Sequence, residues 1–145
     1  MTFPSSDTSL AVGLTRAQQQ ASSIKAIATN NSTAMKAGPV LSSGILSLLD
    51  NLVGAHNVLS AVASLDGIDA YAQEQIGVSI ASDFTAMMNA ITAAAAWIVT
   101  NFPASGGYLQ AQTMNSDGAR TERSFTTTQT AGLVTLLDAL VATID

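Results

Sequence analysis

The sequence contains no cysteine, which removes disulfide frameworks, thiol nucleophiles and cysteine-based zinc sites together. It has one histidine, His56. A metal ligand or general base needs partners, and the nearest acid along the chain, Asp50, lies six residues earlier, about 240° around a helix. His56 therefore reads as a packed or surface-edge residue. The nucleophile-elbow pattern G-x-S-x-G, glycine-rich phosphate loops, H-E-x-x-H and the calcium loop are all missing. Paired carboxylates occur only as Asp66 with Asp69, beside Gly67, where N-capping and the helix dipole explain them. These absences set the first expectation, a protein that is not an enzyme and has no cofactor or metal.

Charge is scarce as well. Hydrophobic residues make up 48% of the 145-residue chain and charged residues only 10%, against about 25% in ordinary soluble domains. A surface so short of charge either relies on Ser, Thr, Gln and Asn or is covered by neighbouring molecules. Oligomerisation is the simpler explanation. The net charge is −5 and the only cations are Arg16, Lys25, Lys36, Arg120 and Arg123, so no nucleic-acid binding through phosphates is expected. No cation falls between residues 37 and 119, where Asp50, Asp66, Asp69, Glu74, Asp83 and Asp117 all lie. Head-to-tail contact between unlike surfaces would suit this distribution, and so would mutual neutralisation inside one folded molecule.

Long hydrophobic runs are missing too. Residues 84 to 116 carry no charge, but Asn89, Asn101 and Pro103 interrupt them, and the best apolar stretch, residues 90 to 99, is far below the ~20 needed to cross a bilayer. A buried helix is expected there, and no membrane. The opening MTFPSSDTSL has neither the basic start nor the apolar run of a secretory signal, so export by that route is not expected.

What the chain does have is helical periodicity. Its length suits one domain, residues 1–145. A first helix is predicted from about Asp7, as N-cap, to about Asn30, with Leu10, Leu14, Ala17, Ala21, Ile24 and Ala28 on one stripe. Asn30-Asn31 or Gly38-Pro39 ends it, and residues 32–38 are ambiguous. A second helix runs from Ser42 or Ser43 to about Leu65 with Ile45, Leu49, Leu52, His56 and Leu59 on one face, before the stop at Asp66-Gly67. A short helix over residues 68–75 follows. The next, over residues 82–101, is expected to be the longest and to occupy the centre of the bundle. Phe84, Met87, Met88, Ile91, Ala95, Ile98 and Phe102 are at helical spacing in it. Its run Ala93 to Ala96 removes side-chain bulk so that a neighbour can approach, and Trp97 fills the space beside it.

After Pro103 the pattern turns strand-like. YLQAQTMN and ARTERSFT flank Ser116-Asp117-Gly118, a hairpin signal. With Asp117 and Gly118 as the two turn residues, Arg123 faces Gln112 and Phe125 faces Gln110. Such a polar ribbon is marginal alone, so it either leans on its own bundle or pairs with another chain. TTTQ then opens the last helix, with Thr126 and Gln129 at capping-box spacing. Leu133, Leu136, Leu137, Leu140, Val141 and Ile144 form its core face, so truncation at this end is expected to damage the fold. The fold class is thus mainly α, a bundle of four to five helices with one β-hairpin, at about residues 108–126, protruding before the C-terminal helix. The candidate interaction residues lie on that hairpin: Tyr108, Gln110, Gln112, Arg120, Glu122, Arg123 and Phe125. Its alternative role is a solvated ribbon whose charge prevents unwanted pairing.

From WIVTNFPASGGYLQAQ through RTERSFT to LVTLLDALVATID, the chain resembles small structural proteins of the head and neck of tailed bacteriophages. The resemblance covers mainly residues 97–145 and rests on the order of elements rather than a diagnostic motif, so no functional residue is carried over. It implies a virion component, assembled in the host bacterial cytoplasm, that forms a ring or lattice with itself and with other virion proteins as a neck or head-to-tail connector. Three other readings remain open: a capsid decoration protein, a helical partner-binding or secretion module of the host, and a holin-like membrane protein, which would need a longer apolar span.

Overall fold

The computed structural model describes residues 6–77, 83–101, 112–114, 120–122 and 124–144. Five helices and four short strands follow one another: α1 (Ser6–Ala37), β1 (Val40–Leu41), α2 (Ser42–Ala63), α3 (Ile68–Ile76), α4 (Thr85–Asn101), β2 (Gln112–Met114), β3 (Arg120–Glu122), β4 (Ser124–Phe125) and α5 (Thr127–Thr143). The fold class read from the sequence, a mainly α bundle with a hairpin before its last helix, is the one observed.

The four long helices close a ring in the order α1, α2, α4, α5, each packed on two neighbours, while α3 rests against α1 and α2. This corrects the expectation that α4 is both the longest helix and the central one. α1 is longest at 32 residues, because Asn30 and Asn31 do not stop it. The Asn31 side chain donates to the Ile27 carbonyl at 2.8 Å, a bond back onto the preceding turn that the helix tolerates. α1 continues until Gly38-Pro39, where proline forbids further helical hydrogen bonding. Asp7 falls inside α1 rather than at its N-cap.

The core is a single cluster. Ile24, Ile45, Leu52, Leu59, Ile98, Leu133, Leu137 and Leu140 are fully buried in it, and each such side chain contributes about 1.5–3 kcal/mol relative to exposure. The predicted stripes of α1, α2 and α5 largely coincide with this interior, although Ala21, His56, Leu136 and Val141, expected on them, are only partly buried. On α4 the stripe is displaced slightly: Met87, Ile91, Ala94 and Ile98 point inward, while Met88 and Ala95, expected in the core, pack on its rim. Of the alanine run only Ala94 is fully buried, while Ala93 and Ala96 are exposed; the close approach to α5 is made instead at Trp97. A Cβ on Gly132 of α5 would sit 2.8 Å from Cζ2 and 2.9 Å from Cε2 and Nε1 of Trp97, so the indole lies directly on the α5 backbone.

Local chemistry sets the joints. Between α2 and α3, Gly67 takes φ of 82°, a left-handed conformation with no Cβ penalty. It is the N-cap of α3 and no side chain caps that helix, so Asp66 does not play the capping role proposed for it. Asp69 stands in the first turn, favourable for the helix dipole, and accepts from Gln73 Nε2 at 3.1 Å. The capping box of α5 is present: Gln129 N–H donates to Thr126 Oγ1 at 3.2 Å and Thr126 N–H donates to Gln129 Oε1 at 2.8 Å.

Two separate two-stranded ladders replace one continuous hairpin. β2 and β3 pair antiparallel with Gln112 opposite Glu122 and Met114 opposite Arg120. The register differs by one residue from that of a two-residue Asp117-Gly118 turn, which put Gln112 opposite Arg123. An odd number of residues, 115–119, separates the last pair, and a one-residue slip changes which faces meet. The second strand then changes partner: Phe125 pairs with Val40 and Ser124 with Leu41. The β1–β4 ladder therefore joins the end of α1 to the start of α5 and fixes those helices antiparallel.

Candidate interaction surface

Of the candidate hairpin residues, Gln112, Arg120 and Glu122 lie in the β2–β3 ladder, while Tyr108, Gln110 and Arg123 fall outside the described residues. Phe125 is 6% exposed and belongs to the core. It anchors the base of the hairpin to its own bundle. The reason is visible in its strand: it is the one large apolar side chain in ARTERSFT, and burying it beside Val40 is favourable. Among the described residues, β2 and β3 contact each other more extensively than they contact any other element.

A second surface was not singled out from the sequence. On the outside of α2, two shallow grooves run along its flanks and share Asn57. The groove between α2 and α4 encloses about 660 Å³ and is lined by Val53, Ile91, Ala95, Ala96 and Val99 among others, with Asp50 and His56 at its borders. The groove between α1 and α2 encloses about 590 Å³ and includes Val12, Gly13, Arg16, Val58 and Leu65. Val12, Val53 and Val99 are 56%, 46% and 57% exposed, the first in the α1–α2 groove and the other two in the α2–α4 groove.

Asp50 and His56, judged far apart around the helix, both border the α2–α4 groove. They lie three residues before and three after Val53, which puts them about 60° to either side of it. The groove is wide enough to reach both. Among the described residues no group of three or more His, Cys, Asp or Glu side chains could hold a metal ion.

The opposite side of the bundle has a different finish. Where α1 meets α5, the Ser32 hydroxyl donates to Asp138 Oδ1 at 2.6 Å and Lys36 Nζ lies 3.0 Å from Asp138 Oδ2. The Ser32 hydrogen bond, then the Lys36 bond and charge, hold the Asp138 carboxyl below its ordinary value against a smaller opposing effect of desolvation. Thr29 and Thr33 complete a polar border there.

α2 has a further property. It is 22 residues long with a mean hydropathy of 1.3 over its best window, enough by length and composition to cross a membrane. Its buried face, Ile45, Leu48, Leu49, Leu52, Ala55, Leu59 and Val62, accounts for most of that hydropathy as the wall of a soluble core. Comparison with protein-family models, with curated proteins and with solved structures finds no match.

Proposed function

We propose that the protein is a non-enzymatic structural component that works by assembling with copies of itself and with other proteins, in the virion of a tailed bacteriophage and at its neck. The observation that carries the assembly reading is the exposed apolar border of α2, in a chain with only 10% charged residues. A bundle that already buries its core has no internal use for Val53 and Val99, exposed in one groove, and an apolar groove of this kind suits a protein contact. The β2–β3 ribbon adds a second element of the same sort. Its two strands pair with each other, and a two-stranded ribbon has outer edges suited to pairing with another chain. The virion location rests on the resemblance of residues 97–145 alone.

The test is to replace residues 112–122 by a short Gly-Ser linker, keeping Ser124 and Phe125 so that the β1–β4 ladder survives. Helical circular dichroism should be unchanged, and the variant should fail to enter the larger particle. Normal incorporation of a folded variant would return the ribbon to an ordinary surface feature.

A further inference from the structure

Asp66 and Asp117 are the two aspartates followed by glycine, and the first pair lies among the described residues, exposed at the joint between α2 and α3. Gly67 has φ of 82° and ψ of 2°, Asp66 has a negative φ, and the Ile68 N–H donates to the Leu65 carbonyl at 3.2 Å. Together these make a type II turn with Asp66 and Gly67 at its centre. In such a turn ψ of about +120° at the first central residue swings the Gly67 nitrogen away from the Asp66 side chain. The Gly67 carbonyl is held as well, accepting from the Tyr71 N–H at 3.1 Å. The nitrogen can turn back only when the turn and the start of α3 let go. α3 is nine residues long and buries only Ile68 and Ala72, the fewest of the five helices, so it is the helix with least to keep it docked.

We propose that Asp66-Gly67 is a site of spontaneous isoaspartate formation, held shut by the type II turn while α3 is docked and opened when α3 lifts from α1 and α2. Once the turn opens, the Gly67 nitrogen attacks Cγ of Asp66. The amide proton and the Cγ hydroxyl leave together as one water, and a five-membered imide closes. Glycine permits this because no side chain crowds the attacking nitrogen. One water then adds back. Opening of the bond from nitrogen to Cγ restores aspartate, whereas opening of the bond from nitrogen to the main-chain carbonyl carbon leaves the chain running through Cβ and Cγ. Mass and charge are unchanged, and no co-reactant other than water is needed. The β-linked joint is one main-chain atom longer, between flanks that are closely fitted. Leu65 Cδ1 lies 2.6 Å from where a Cβ on Gly13 would be, Leu10 Cδ1 lies 3.8 Å from one on Gly67, and Ile68 is buried. A longer joint cannot keep both flanks seated, so the modification turns a transient opening of α3 into a lasting one.

The full-length protein is aged at neutral pH, folded or in urea, and then cleaved after Glu74 and Glu122, its only glutamates, which puts Asp66 and Asp117 on different fragments. Enzymatic methylation of isoaspartyl groups measures the yield, and fragmentation mass spectrometry places it at residue 66. The wild type should convert Asp66 in urea and far more slowly when folded, and Gly67→Ala should suppress the conversion in urea. Leu10→Ala removes the side chain beside Gly67 and should speed conversion of the folded protein about tenfold or more, the factor that ~1.4 kcal/mol of lost local stability gives. Leu137→Ala, a buried leucine at the α1–α5 seam, should leave the rate near that of the wild type at a temperature where circular dichroism shows both variants folded. If Leu10→Ala does not fold, Ile68→Val takes its place as a milder loosening of α3. Equal rates for the wild type folded and in urea would show that the turn holds nothing shut. Equal acceleration by the Leu10 and Leu137 variants would replace opening of α3 by global unfolding, and no isoaspartate at residue 66 in urea would remove the site itself; each of these results overturns the proposal.

Discussion

The α1–α5 seam and the α2–α4 seam are built from the same interior and finished differently outside. Both close over fully buried side chains, Ile24, Leu137 and Leu140 on one side and Leu52 and Ile98 on the other. At the first, the border is polar and tied, with Asp138 held by Ser32 and Lys36. At the second, Val53 and Val99 stand exposed among apolar lining, with Asp50 and His56 at the groove's borders. A surface that meets only solvent gains nothing from exposed valines, whereas one that meets another protein loses less on desolvation when its centre carries few charges. The two seams thus differ in their outer finish and not in their interior.

Five substitutions sharpen that contrast, beginning where the two sides should behave alike. Leu52→Ala and Leu137→Ala each remove a fully buried side chain and should each cost about 2–5 kcal/mol in chemical denaturation. A negligible cost at either position would mean that the seams do not share one core. Glycine substitutions should then separate a closed contact from an open face. Gly132→Ala drives a methyl into the Trp97 ring and should destabilise by about 1–3 kcal/mol. Gly54→Ala meets nothing within the chain and should stabilise an isolated bundle by about 0.5–1 kcal/mol through helix propensity. Thermal melts of the two variants at low protein concentration check the opposite signs.

The smallest effect is that of Asp138, which is about half exposed at 49%. Its folded-state pKa is lowered, so its contribution is present above the ordinary carboxylate range and is lost as pH falls through the folded value. Asp138→Asn should lower the melting temperature slightly at neutral pH, and the difference from wild type should vanish once the pH falls below the folded value. A difference that persists in acid would show that the carboxylate charge is not what joins α1 to α5.

Local patterns were legible in the chain and distant pairings were not. The apolar stripes of α1, α2 and α5 follow from helical spacing, and the Thr126–Gln129 capping box needs only four consecutive residues, so both could be read directly. The Ser32–Asp138 bond joins residues 106 apart, and the β1–β4 ladder pairs Val40 with Phe125. Nothing in either segment alone names its partner, although a lone phenylalanine in a polar strand and a β-branched residue after Pro39 were signals in hindsight. Met87 and Met88 are adjacent and equally apolar, and only the angle at which α4 meets α2 and α5 decides which is buried. The α2 surface was overlooked for a related reason. Its valines have the same spacing as core residues, and exposure is a property of what surrounds a helix rather than of the helix.

The central claim, that this chain acts by self-assembly, is tested most directly by its molar mass in solution, measured by light scattering across a range of concentrations in mild buffer. The account predicts a mass that is a multiple of one chain and that falls towards one chain only on strong dilution. A mass of one chain at every concentration, with Val53 and Val99 remaining in water, would contradict it.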